Sequence, residues 1–334
     1  MDSIRNQLQV WAPIVSDKFG LCSNGFSRFM GAVLVAGGIG IASIWAPDRT
    51  VEELIPTLAP APSQFLEING MRAHVRDEGP MTDPSPIVLL HGTSSSLHTW
   101  DGWTLALKAH RRIIRVDLPG FGLTGPHPSG KYDIETNTQF VIALMDALHV
   151  KSAVLAGNSL GGYIAWKTAV DYPDRVTKLV LVDSAGYKFA PKSIPIGFKL
   201  ANMPLLSPIT TNVLPKSIIA DSLRNVYGDP SKVTPALIER YYNNTLRAGN
   251  RQAVIERFTQ TKGGDFELQI QSIKQPTLIL WGSEDRLIPI DNAKRFQLDI
   301  KGSELVVFTG LGHVPQEEDP AVTVKPVQAF LSFK

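Results

Sequence analysis

The chain has 334 residues, 43% of them hydrophobic and 19% charged, which excludes a disordered polypeptide and leaves room for one large core with additions. A net charge of +2 gives no general case for nucleic-acid binding. The single cysteine, Cys22, excludes an intramolecular disulfide and a cysteine-rich metal site.

After an N-terminal segment, 1–28, the run 29–46 passes without a charge between Arg28 and Asp48. Its eighteen residues meet the lower limit for a bilayer-spanning helix, and a membrane anchor is the expectation. A helix docked on the globule and a cleaved signal peptide are the alternatives, the latter with a poorly formed cleavage site because Pro47 follows Ala46. Ala32, Ala36 and Gly40 recur every four positions, a pattern that lets two helices approach and points weakly to a homodimer. Lys18 and Arg28 precede the run and Arg49 alone follows closely. That bias places the amino terminus in the cytoplasm and the globule on the other side, periplasmic in a Gram-negative source, with a soluble cytoplasmic protein as the alternative. Pro47, Pro56, Pro60 and Pro62 make 47–62 read as a semi-extended linker.

Asn69-Gly70 between short apolar alternations predicts an opening β-hairpin over 65–77. Apolar runs at 87–90, 113–116, 153–156, 179–182, 277–280 and 305–308 read as buried strands, with helix-length stretches between most of them. Such alternation implies an α/β fold with a mainly parallel sheet covered on both faces and functional groups at the strands' carboxyl ends. The stretch 187–265 breaks the alternation. It shows helix starts at Thr234-Pro235 and Asn250 and a stop at Gly263-Gly264, and it carries eleven Lys and Arg against five Asp and Glu. This basic insertion reads either as solvated helix faces or as attraction to an anionic headgroup or substrate.

Gly157-Asn158-Ser159-Leu160-Gly161 follows the strand at 153–156 and opens a helical stretch, forming a G-x-S-x-G nucleophile elbow. Gly157 and Gly161 leave the room that so sharp a turn needs, and Ser159 is the candidate nucleophile. A serine hydroxyl needs a base and a group that orients the base, and both follow in order. Asp285, past the strand at 277–280, is the candidate acid, with Asp183 after the strand at 179–182 as a rival; His313 in Gly312-His313 is the candidate base. Asp285 also admits a purely structural reading, as a helix N-cap.

Together with Leu89-Leu90-His91-Gly92-Thr93 and Asp117-Leu118-Pro119-Gly120-Phe121-Gly122, these motifs make residues 63–334 resemble the α/β-hydrolase family, in its lidded serine esterase and C–C hydrolase-like branch. The resemblance implies a core of 63–186 and 266–334 and a helical lid at 187–265. It also implies an oxyanion hole from the backbone N–H groups of Thr93 and Leu160. Serine at 159 argues against the members that use an aspartate nucleophile, the epoxide hydrolases and haloalkane dehalogenases.

The expected reaction is hydrolysis of a small carboxylic ester with an apolar acyl or aryl group, through an acyl-enzyme on Ser159 with His313 as base and Asp285 as orienting acid. It uses no cofactor, and the sequence shows no metal-ligand cluster. The alternative is hydrolysis of a carbon–carbon bond in dienoic ring-fission products, suggested by Gly-Asn-Ser-Leu-Gly-Gly and the basic insertion. A non-catalytic ligand receptor on the same fold is the third reading.

Overall fold

The computed structural model describes residues 44–203, 211–261 and 263–332. The first helix, α1 (Val51–Leu58), starts at a capping box in which the Thr50 side chain accepts from the Glu53 amide and Glu53 reaches back to Thr50. The hairpin follows as β1 (Ser63–Ile68) and β2 (Met71–Glu78), antiparallel with Ile68 opposite Met71. Asn69 and Gly70 take φ of 51° and 75°, the paired positive values that a tight two-residue hairpin requires.

From there the chain alternates. β3 (Ile87–Leu90), α2 (Asp101–Leu107), β4 (Ile113–Val116), α3 (Ile134–Ala147), β5 (Ala153–Asn158), α4 (Leu160–Asp171) and β6 (Val176–Val182) form the first part. Between β6 and β7 come α5 (Ile196–Ala201), α6 (Lys216–Val226), α7 (Pro235–Leu246) and α8 (Asn250–Gln260), with no strand among the described residues of this insertion. The sheet resumes at β7 (Thr277–Gly282), α9 (Asp291–Asp299) and β8 (Glu304–Phe308), and the chain closes with α10 (Pro315–Glu318) and α11 (Pro320–Phe330).

The eight strands lie in the order β1-β2-β4-β3-β5-β6-β7-β8, and every pair from β4 to β8 is parallel. β3, β4 and β5 are buried along their whole length, as continuous apolar strands between two helical layers must be. β8 differs from the expected buried strand. As the edge it leaves Glu304 and Val307 exposed, because only one neighbour covers it. Strand order reverses between β3 and β5, so their carboxyl ends open the crevice in which a fold of this kind places its ligand.

Asp117, just past β4, is fully buried and holds this end of the sheet together. It accepts hydrogen bonds from the Leu97 and Leu123 amides and pairs with His74 Nδ1 at 2.7 Å. Burial opposes its ionisation, yet His74, His91 and His98 around it hold its carboxyl below the usual range.

Two expectations about the amino-terminal region are corrected. Residues 47–62 are not a spacer: α1 buries Leu54 and Leu58 against Leu123, at 0% and 2% exposure. The capping box and the burial of the i, i+4 leucine pair outweigh the prolines, and the helix forms with Pro56 inside it. The membrane anchor is not retained either. Among the described residues no helix is long and apolar enough to cross a membrane. The end of the run belongs to the globule, where Ala46 is 3% exposed beside Leu214 and Leu246 and donates its amide to Asn212 O. Residues 29–43, with the Ala32, Ala36 and Gly40 pattern behind the homodimer expectation, lie outside the described residues. The non-cytoplasmic placement rested on the anchor and falls with it.

Because Leu54 is fully buried among leucines and Phe65, Leu54→Ala is expected to destabilise the protein by about 2–5 kcal/mol. Urea unfolding checks this. A midpoint within error of wild type would mean that α1 is not part of the cooperative unit.

Candidate active site

The turn after β5 places Ser159 in a conformation that serine rarely adopts, φ 57° and ψ −115°. The fold over-determines it. The Ser159 amide donates to Val182 O at 3.0 Å, and its carbonyl accepts from Ala185 N and Tyr163 N. A Cβ on Gly157 would lie 2.1 Å from Gly161 O, and one on Gly161 would lie 2.1 Å from Leu90 O. Both positions must therefore be glycine for β5 and α4 to meet at this angle. Leu160 opens α4, so its N–H belongs to the first helical turn, which has no intrahelical acceptor. From the other side comes the loop after β3. Gly92 packs so closely on the elbow that an added Cβ would approach Ser159 Cβ to 3.1 Å, and Thr93 follows it on the wall of the same cavity. His91 shapes this loop, accepting from Leu118 N on Nε2 and donating from Nδ1 to Gly92 O at 2.7 Å. Burial lowers its pKa, which favours that neutral form.

Asp285 and His313 meet beside the elbow. His313 Nδ1 lies 2.7 Å from Asp285 Oδ2, both side chains being buried, and Asp285 Oδ1 accepts from the Leu287 and Ile288 amides. This fixes the imidazole with its proton on Nδ1 and leaves Nε2 as the basic nitrogen. The backbone of His313 is held at both ends: its amide donates to Val226 O at 2.7 Å, and its carbonyl accepts from Asn158 Nδ2 at 2.9 Å. Glu318, five residues on, accepts from Gly312 N, Gly228 N and Asp229 N at 2.8, 2.9 and 2.8 Å. One carboxylate thus joins the histidine loop to the segment after α6.

Asp183 stands behind this pair. Its Oδ1 accepts from Gly282 N, and its Oδ2 has no hydrogen-bond partner. Polar atoms of Asp183, Asp285 and His313 lie within 4.8 Å of one another, a donor set of metal-ligand type. Two of the three donors are already spent on each other, and Asp285 also carries two amides. Burial, and then the neighbouring Asp285, push the Asp183 carboxyl well above the usual range. The cluster is an imidazole hydrogen-bonded to one acid, with a second buried acid behind the pair.

Ser159, His313 and Thr93 line one cavity of about 170 Å³. Its far wall comes from the insertion and is mainly apolar, with Phe198, Leu200, Leu214, Ile218, Leu223 and Val254. Of the insertion's aromatic residues Phe198 and Tyr241 reach this wall, while Tyr227 is buried within the insertion. The arrangement suits attack of a serine oxygen, or of a water, on the carbonyl of an apolar substrate. Asn158 and Glu318 were not among the expected site residues. The only sequence trace of their roles is adjacency, one inside the elbow pentapeptide and one on the helix that follows His313.

The model of the alpha/beta hydrolase fold family matches residues 85–320. The chain is 30% identical over 293 residues to a 2-hydroxy-6-oxononadienedioate/2-hydroxy-6-oxononatrienedioate hydrolase from Escherichia coli O81 (strain ED1a), covering 83% of this chain and 98% of the relative. Among solved structures it resembles a meta-cleavage product hydrolase from Pseudomonas fluorescens IP01, with TM-score 0.69, 25% identity, and coverage of 80% of this chain and 97% of the other. It also resembles a membrane phospholipase A described as a bacterial virulence factor, with TM-score 0.70, 25% identity, and coverage of 92% and 98%.

The upward shift of Asp183 carries a pH signature in stability. The unfolded chain releases this proton near pH 4, whereas the folded protein retains it because the folded pKa is raised. The folded state then binds more protons, and this residue's contribution declines as pH rises from about 4 towards the folded pKa. Asp183→Asn removes the proton and the decline together. Its stability relative to wild type should therefore be greater at pH 8 than at pH 4.5 in urea unfolding, and an equal difference at both would show that Asp183 is ionised in the fold.

Proposed function

Because the chain belongs to the α/β-hydrolase fold family, we propose that it hydrolyses a carbon–carbon bond in 2-hydroxy-6-oxo-dienoate ring-fission products, with Ser159 at the reacting carbonyl. The observation that carries this reading is the joint one of a buried acid–imidazole pair beside a strained serine on an apolar cavity and close likeness to hydrolases named for such substrates. It reverses the order of the two enzymatic readings drawn from the sequence, in which ester hydrolysis came first.

The chemistry is consistent with these groups. Moving a proton from the 2-hydroxyl to C5 converts the dienol into a ketone whose C6 carbonyl is open to attack. Ser159 Oγ, or a water in its place, adds to C6 while His313 Nε2 takes the proton. Asp285 holds the imidazole by Nδ1 and stabilises its charged form. The N–H groups of Thr93 and Leu160 bind the oxyanion, donors of a kind typically worth about 3–4 kcal/mol each. Collapse breaks the C5–C6 bond. The electron pair left on C5 is delocalised through the enone onto the oxygen at C2, and C5 then takes a proton. If Ser159 is acylated, water releases the acid half as a carboxylic acid. In sum one water is consumed and two products form. Under this reading residues 187–265 act as a lid that excludes water and shapes the pocket.

Hydrolysis of carboxylic esters is the second reading. The likeness to the phospholipase, which extends over 92% of this chain, favours it. A rate comparison separates the two. Loss of the dienoate chromophore and release of nitrophenol from esters of acetate upward are measured on one enzyme preparation, with kcat/KM expected to favour the dienoate by at least about tenfold. Better turnover of esters, with no dienoate cleavage, would sink the first reading.

Ser159→Ala is expected to fold and to lose at least about 10³-fold in kcat, since the members of such a triad act as a unit. Asp285→Asn is expected to lose about 10²–10⁴-fold by holding the wrong imidazole tautomer. Asp183→Asn, which puts a neutral amide where burial disfavours a charged carboxylate, is expected to lose less than about tenfold. Substantial turnover by a folded Ser159→Ala protein would remove the serine from the mechanism, and no turnover by wild type on either substrate class would favour the receptor reading.

A further inference from the structure

Glu318 ends α10 and is 7% exposed, and its carboxylate is spent on backbone rather than on a basic side chain or on solvent. Oε2 accepts from Gly312 N at 2.8 Å and from Gly228 N at 2.9 Å, and Oε1 accepts from Asp229 N at 2.8 Å. Two of these amides belong to the segment after α6. The third belongs to the residue before His313.

The two segments meet backbone to backbone. A Cβ on Gly228 would lie 2.0 Å from Gly310 O, and one on Gly312 would lie 2.3 Å from Val226 O. His313 N donates to Val226 O at 2.7 Å across the same seam. Side chains close it, since Val314 packs with Leu223, Tyr227 and Val233 of the insertion in one buried cluster. Leu223, Val226 and Val314 also line the main cavity, so part of the cavity wall and the backbone of His313 belong to one contact.

Other bonds fix the rest of His313. Asp285 holds the imidazole through Nδ1, and Asn158 Nδ2 donates to the carbonyl. On the amide side the nearest bonds are those of His313 N to Val226 O and of Gly312 N to Glu318. A catalytic group displaced by about 1 Å from its working geometry can lose on the order of 10²-fold in rate. We propose that Glu318 is a positioning residue for His313. It brings the imidazole to Ser159 only when residues 226–229 are seated, so the seating of the insertion on the cavity and the placing of the base are one event. This rests on the reading of Ser159 and His313 as nucleophile and base, and on neither choice of substrate.

Glu318→Gln breaks the clamp, because a carboxamide offers one acceptor oxygen and turns an NH2 group, donor to donor, on the remaining backbone N–H. The probe is diethyl 4-nitrophenyl phosphate, applied to the full chain. Ser159 Oγ attacks phosphorus, 4-nitrophenolate leaves and His313 takes the serine proton, so the measurement is independent of the natural substrate. In Glu318→Gln the limiting rate of labelling should fall about 10–100-fold while the half-saturating concentration stays within about threefold. Amide hydrogen exchange, followed by mass spectrometry, should quicken at 226–229 and at 310–313 together, by at least about tenfold. Should Glu318→Gln fail to fold by thermal melting, Glu318→Asp, which keeps both acceptors on a shorter arm, is expected to show the same two changes. Labelling of the folded variant at the wild-type limiting rate, or faster exchange in one segment alone or in neither, would overturn the proposal and leave Glu318 with a role in stability only. Wild type that is not labelled, or labelling that His313→Ala does not slow, would remove His313 as the base and the proposal with it. Labelling slowed by His313→Ala but not by Glu318→Gln would sink the proposal alone.

Discussion

The backbone of Ser159, held at φ 57° and ψ −115° where β5 turns into α4, is the constraint on which the rest of the site depends. A left-handed serine is typically about 1–3 kcal/mol above an ordinary conformation, and it persists only where its surroundings leave no alternative. Here β6 takes the serine amide through Val182 O, the residues after β6 take its carbonyl through Ala185 N, and β3 presses on Gly161 through Leu90 O. Two central strands, β6 and β3, thus set one dihedral pair at the end of a third. The result lifts the side chain clear of the sheet and puts the first amide of α4 beside it, so the proposed nucleophile and one proposed oxyanion donor come from one turn.

The histidine arrives by another route. Its loop is held from the core by Glu284 N and by Leu311 N on Phe308 O, and from the insertion by Val226 O and, through Glu318, by Gly228 and Asp229. The same α6 contributes Ile218, Leu223 and Val226 to the apolar wall of the cavity. The element that lines the cavity is therefore tied to the loop that carries His313. Asn158 closes the circle by joining the elbow to the His313 carbonyl.

Electrostatics divides the carboxylates by surroundings rather than by type. Asp285 receives two amides and an imidazole N–H and is suited to carry a charge. Asp183, equally buried, has one amide and an acid neighbour, and burial shifts its carboxyl upward. Asp117 is as buried as either, yet three histidines and two amides hold it ionised.

The amino-acid sequence alone determined the strands of the parallel sheet, the hairpin turn at Asn69-Gly70 and the elbow, because each is encoded within a few residues as apolar continuity or as glycine where a Cβ cannot fit. The chain order of Ser159, Asp285 and His313 was legible for the same reason, each sitting just past a strand end. The Thr50 to Glu53 capping box was equally local, but proline density hid it and made α1 read as a spacer. The apolar run 29–46 read as an anchor because counting charges says nothing about where Ala46 goes. Only the tertiary structure decided which aspartate meets His313, that Glu318 reaches amides 89 and 90 positions away, and that Arg251 meets Asp48 across 203 positions while keeping two donor nitrogens unbonded. Those roles depend on burial and on partners brought together from distant parts of the chain, and neither quantity is a property of a residue or of its sequence neighbours.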